Sequence, residues 1–209
     1  MKYVVALFCL FSLWSCHKNK NQYWLEGTIT DELTGSAMSG TSVKVEVKKL
    51  MSGVYNDVLE TAAQTNSDGS GHYEMKWTRE NIAICKITAS KENYFVAIAE
   101  VSPDVLVPGE FYTKNLQMTP RADIDLHVGS NDATANVSVT FYSTDQYCNC
   151  DDLGTISITG IADTTLPCMA SGGKWIKYLI QASGSGGTVN HWDSLYCNPF
   201  VHTPFTYIY

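Results

Sequence analysis

The 209-residue chain has little positive charge: 14 Lys and Arg against 21 Asp and Glu, for a net charge of −7. No basic stripe is available to neutralise a phosphate backbone, which excludes nucleic acid as a partner. It also lacks an apolar run long enough to cross a bilayer as a stable helix, since the longest, YVVALFCLFSL at residues 3–13, falls short of about 20 residues. Helical periodicity is almost absent, because no segment after Tyr23 keeps a 3.6-residue apolar stripe for three turns. Catalytic signatures are missing as well. There is no G-x-S-x-G elbow, no H-E-x-x-H helix and no phosphate-cradling glycine loop. Nothing in the sequence calls for a cofactor or a metal.

What remains is a chain of period two. SVKVEVKKL alternates Val43, Val45 and Val47 with Lys44, Glu46 and Lys48, as a strand with one wet face requires. AICKITA, YFVAIAEV and GHYEMKW continue the pattern, and ADIDLHV, NVSVTFY, GTISITGI, WIKYLIQA and PFTYIY repeat it in the second half. Gly, Ser, Asn and Asp cluster between these runs, which points to β-sandwiches. Pro120 interrupts the pattern before a new strand at Ala122. The expectation is therefore an all-β protein of two tandem Greek-key or Ig-like β-sandwich domains, 23–119 and 120–209. Residues 17–119 carry ten basic and thirteen acidic side chains, whereas residues 120–209 carry three and eight.

The first residues form an export signal: Lys2, the short apolar run, and small Ser15 before Cys16. Leu13, Ser15 and Cys16 of LWSC resemble the lipobox of bacterial lipoproteins, with Trp14 departing from its usual small residue. That resemblance implies a signal peptide over 1–15, acylation of the Cys16 thiol with diacylglycerol, cleavage, and acylation of the new amine. Several acyl chains at about 0.8 kcal/mol per buried methylene hold a protein on a membrane where one chain gives only reversible binding. Residues 16–22 then read as a lipidated tether, whose six polar residues HKNKNQ reach about 20 Å when extended. By the family's sorting pattern, His17 rather than aspartate after the cysteine implies the outer membrane. The absence of acids in the tether favours its periplasmic leaflet.

In the first half, LEGTITDELTGSAMSGTSVKVEV places Gly27, Ile29, Asp31, Thr34, Gly35, Gly40 and Val43 in a glycine, Asp, threonine-glycine and Val-rich order. Thr65, Asp68, Gly69 and Tyr73 follow as a second turn signal. This stretch resembles the carboxypeptidase regulatory-like domains, transthyretin-type Greek-key sandwiches, although Ser36 and Ala37 stand where a proline is usual. The resemblance implies a non-catalytic spacer, support or interaction module and supplies no active-site residues.

Cys148, Cys150, Cys168 and Cys197 lie in the second half. Four thiolates can hold zinc tetrahedrally. Export favours disulfides instead, with the CNC pair cross-linked to Cys168 and Cys197 in either order. Cys85, among apolar strand residues, reads as a core thiol. Asn66, Asp68, Ser70 and Gly71 mimic the start of a calcium loop, but Trp77 stands where its glutamate belongs, so a turn is expected.

The last twenty residues are rich in aromatics. Phe205, Tyr207 and Tyr209 alternate as a final strand, while Trp192 and Tyr196, on an exposed loop, would be free to stack on a sugar or anchor a protein. The sequence reading is a lipid-anchored envelope protein acting as a non-catalytic binding or structural module, its partner an envelope protein or a glycan. The alternative is a carbohydrate-active or other hydrolytic enzyme with a site in the second domain, for which His191 and Asp193 are the acid-base pair.

Overall fold

The computed structural model describes residues 21–51, 54–55, 57–150 and 152–209. Cys16, the expected lipidation site, lies outside them. The described chain is built from strands, with one short 3-10 turn at Pro103–Val105. The first set comprises β1 (Gln22–Asp31), β2 (Ser42–Met51), β3 (Val54–Tyr55), β4 (Glu60–Asn66), β5 (His72–Thr78), β6 (Ile82–Ser90), β7 (Ala97–Val101), β8 (Phe111–Thr113) and β9 (Leu116–Met118). The second comprises β10 (Arg121–Ser130), β11 (Asn136–Tyr142), β12 (Thr155–Thr159), β13 (Ala162–Ser171), β14 (Trp175–Gly184), β15 (Gly187–Tyr196) and β16 (His202–Ile208).

Period-two patterning decides each sheet's inner face. In β1, Tyr23, Leu25, Ile29 and Asp31 are buried while their neighbours are not. In β2, Val43, Val45 and Val47 face inward. Such side chains contribute about 1.5–3 kcal/mol each on full burial. Buried residues form two cores, one running from Tyr23 to Met118 and the other from Ala122 to Phe205.

The two sandwiches share one strand order. In the first, β1 pairs with β5 on one side and runs parallel to β8 and then β9 on the other. The facing sheet places β4 and β3 on β2, with β6 and β7 beyond. In the second, β10 lies between antiparallel β13 and parallel β16, and the facing sheet runs β12-β11-β14-β15. Strand for strand, β1, β2, β4, β5, β6 and β7 correspond to β10, β11, β12, β13, β14 and β15.

Two motif glycines have local causes. A Cβ at Gly27 would sit 1.9 Å from the Lys114 carbonyl oxygen, where the chain between β8 and β9 crosses β1, and that oxygen accepts the Tyr73 hydroxyl at 2.5 Å. Gly35 turns at φ +70°, which L side chains rarely adopt, and its N–H closes onto the Asp31 carbonyl. The calcium-like loop is a turn: Asp68 Oδ1 accepts the Ser70 N–H, the Ser70 hydroxyl and the His72 N–H.

The sandwiches dock at one end. Around Pro120, Phe95 N–H donates to Thr119 O, Arg121 N–H to Asn93 O, and Gly172 N–H to Pro120 O, at 2.8–2.9 Å. Tyr94 packs on Phe200 at 5.2 Å, and Phe95 stacks on Tyr147. Lys174 reaches Glu32 at 3.7 Å.

Candidate functional site: the outer face of the second sandwich

In the β12-β11-β14-β15 sheet, Val137, Val139, Phe141, Ile176, Ile180 and Ala182 are buried inward. The intervening residues therefore line the outer face, and the registers set them in rows. One end carries Trp175 opposite Tyr196. Next come Tyr142 and Lys177 opposite Ser194, then Thr140 and Leu179 opposite Trp192. Further on lie Ser138, Gln181 and Asn190, and then Asn136, Ser183 and Thr188. Thr155, Ser157 and Thr159 of β12 extend the last three rows.

The aromatics of this face are exposed although large. Trp175 is 68 % and Trp192 57 % accessible, so neither ring's burial contributes much to the fold. Trp192 leans diagonally across β14 to meet Tyr142, with ring centroids 5.0 Å apart and planes at 36°, and Trp175 meets Tyr196 at 5.1 Å and 53°. Trp192 and Tyr196 thus stand on a strand, β15, and the exposure that would free Trp192 for stacking comes from the sheet's outer face and not from a loop. The alternation that would have marked the strand is lost because this edge strand has little buried surface on either side.

Two concavities flank the aromatics. Beyond Trp192 a shallow groove of about 450 Å³ is lined by Asn136, Ser138, Ser157, Thr159, Gln181 and Asn190 among others. Toward the junction, a wider cleft of about 820 Å³ is lined by Tyr142, Asp145, Lys174, Trp175 and Lys177 among others. Lys174 lies 3.9 Å from Asp145. Side-chain amides offer donors and acceptors together, as the hydroxyls do, so the groove can accept and donate without charge.

His191 and Asp193 lie on the opposite face of β15, with Nε2 and Oδ2 3.7 Å apart and both side chains more than half exposed. Tyr178 donates its hydroxyl to Asp193 at 3.3 Å, and the Ser194 N–H, foremost, holds the Asp193 carboxyl below its usual range. Neither residue lines the groove or the cleft. Phe205 is buried in the core from β16, as its alternation predicts.

Of the four cysteines, Cys150 and Cys168 form a disulfide that ties the segment after β11 to β13. The sequence predicted two bridges, and the structure closes one. Cys148 and Cys197 carry thiols in the same core. Burial pushes the Cys197 thiol up to about 12, with Cys148 and Asp145 adding to the effect. Cys85 is a core thiol, pushed up to about 11 by burial. Among the described residues, no three His, Cys, Asp or Glu side chains are grouped to hold a metal ion.

The corresponding sheet of the first sandwich serves as an internal comparison. Its outer face carries Lys44 paired with Glu46 at 2.8 Å, Lys48 with Asp57 at 3.2 Å, and Lys86 beside Glu100 in register. That is a solvated charged face, as antiparallel sheets commonly present. The same strands in the second sandwich carry hydroxyls, amides and aromatics, so the difference does not come from the fold.

No protein family and no curated protein matches the chain. Among solved structures, the chain is similar to the Bacillus anthracis TIE protein, at 14 % identity over 90 % of this chain and a TM-score of 0.36, and it spans 34 % of that chain. It is also similar to a DUF3823 family protein from Bacteroides uniformis, at 10 % identity over 84 % of this chain and 99 % of the other, with a TM-score of 0.27. A minor pilin of Streptococcus agalactiae aligns at 10 % identity over 89 % of this chain and 94 % of the other, with a TM-score of 0.33. At such identities and scores no shared function follows.

Proposed function

We propose that this protein is a lipid-anchored, non-catalytic binding module of the bacterial envelope. Cys16 is its anchor, and the outer face of its second sandwich takes a glycan. One observation carries the reading: exposed Trp192 and Trp175, each paired with a tyrosine, stand on a face whose other positions are mostly hydroxyls and amides. Aromatic faces stack on the C–H surfaces of sugar rings, and neighbouring amides and hydroxyls bond to sugar hydroxyls. The hydrolase alternative is disfavoured because His191 and Asp193 face away from both concavities.

The test is co-sedimentation of the full-length protein in detergent with insoluble polysaccharides and with peptidoglycan. Wild type should pellet with at least one of them, and the Trp175→Ala, Trp192→Ala double variant should stay in the supernatant with an unchanged unfolding temperature. Equal pelleting of the two proteins would refute the face as the site. For the anchor, Cys16→Ser should leave a protein of precursor mass in the soluble fraction, and detergent-dependent membrane association of that variant would overturn the lipoprotein assignment.

A further inference from the structure

Building on the glycan reading, we infer that the face takes an extended, uncharged polysaccharide chain lying along the strands, rather than a terminal sugar or an acidic glycan. Length is the first argument. From the Trp175–Tyr196 row to the Ser183–Thr188 row is eight residues of β14, about 26 Å at 3.3 Å per residue. A single sugar would leave most of that strip bare. Tyr196 and Trp192 stand four residues apart on β15, about 13 Å, so two stacking stations are offered to one chain. The groove begins one row beyond the second station, at Gln181 and Asn190.

Charge is the second argument. The second sandwich has eight acidic and three basic residues in its sequence, yet Lys177 is the one charged side chain in the rows of this face. Several acids are held on the other sheet, where Asp123 and Asp125 of β10 and Asp163 of β13 meet Arg121, His202 and His127 at 2.6–3.2 Å. An acidic polymer would find no cationic row on the outer face and would meet the repulsion of an acidic protein. A neutral polyhydroxyl chain matches the groove group for group, because every amide and hydroxyl can answer a sugar hydroxyl in either sense. A protein partner would be expected to meet a continuous apolar centre, whereas here hydroxyl rows continue beyond the aromatics.

The full-length protein in detergent should be run through native gels containing hydroxyethylcellulose, galactomannan, xylan or pullulan as neutral probes, and polygalacturonate or chondroitin sulfate as anionic ones. At least one neutral polymer should retard it, equally at low and high salt. A hexasaccharide of that polymer should compete, and the monosaccharide should not. The Gln181→Ala, Asn190→Ala double variant should weaken the apparent affinity at least tenfold while keeping its unfolding temperature. Retardation by the anionic polymers alone, competition by the monosaccharide, or loss in Trp192→Ala with none in the groove variant would overturn the inference and leave the glycan reading standing. Retardation by no polymer, together with failure to pellet with any polysaccharide, would remove both.

Discussion

Phe95 of the first sandwich lies nearly flat on Tyr147 of the second, with ring centroids 4.7 Å apart and planes 19° apart. Beside it, Tyr94 donates its hydroxyl to buried Asp31 at 2.7 Å while its ring packs on Phe200, which holds φ at +66°. Burial raises the Asp31 carboxyl, and the Tyr94 hydroxyl with the Thr34 and Leu33 N–H groups outweighs it, so the group stays ionised. The junction is therefore a packed joint rather than a hinge, and the outer face of the second sandwich is held at a fixed angle to the first sandwich.

Truncation of the stack tests that rigidity. An aromatic pair contributes about 0.5–1.5 kcal/mol beyond its buried area. Phe95→Ala with Tyr147→Ala should split one calorimetric transition into two and broaden the distance distribution in solution scattering. A single unchanged transition in that variant would show that the joint does not depend on the stack.

The cysteines give a second prediction. Cys150 and Cys168 are separated by 18 residues, a loop for which chain entropy gives about 3 kcal/mol of stabilisation. Cys150→Ala with Cys168→Ala should lower the unfolding free energy by about that amount. Cys148 and Cys197 share the core and lie close enough that charge on one raises the pKa of the other. A thiol pushed up to about 12 offers almost no thiolate at neutral pH, so exchange is slow once the core has closed. Cys197 should therefore alkylate slowly in the folded protein and promptly once the protein is denatured. Mass spectrometry of timed iodoacetamide reactions reads the two rates. Equal alkylation rates in the folded and the denatured protein would show that the core does not shield this thiol.

Legibility in the sequence followed burial. β2 and β11 were readable residue by residue because one face of each is buried and the other wet, which forces strict alternation. β13 was hidden by Pro167, tolerated there because β13 is an edge strand of its sheet. β4 and β15 were hidden because each has few buried positions. The same cause hid most of the candidate site. Trp192 and Tyr196 stood out by residue type alone, whereas Tyr142, Trp175 and the groove amides belong to the site only through cross-strand registers, which sequence patterning does not specify. The shared strand order of the two sandwiches was illegible too, since it lies in connections rather than composition.

Asp132 ties the turn after β10 to the turn between β14 and β15, and so fixes the far end of the groove. Its Oδ1 accepts the Thr134 N–H and hydroxyl at 2.8 Å, and its Oδ2 accepts the Ser185 N–H and hydroxyl at 2.6 Å. The Ser185 hydroxyl foremost, with Thr134, holds this carboxyl well below the ordinary value of 3.8. A carboxyl whose folded pKa is depressed stabilises the fold above its unfolded pKa and loses that contribution as the pH falls through the folded value. Stability of the wild type should therefore fall below about pH 4, a range in which other depressed carboxyls such as Asp68 and Asp193 also act. The difference between wild type and Asp132→Asn isolates this residue. Asp132→Asn should unfold at a lower temperature at pH 7, and the gap should narrow between pH 4 and pH 2. Because Ser183 and Thr188 flank the turn that Asp132 holds, the proposed glycan site predicts that the variant also loses affinity for whichever polysaccharide the wild type binds at neutral pH. A gap that stays constant with pH would mean that Asp132 contributes through packing rather than through its charge.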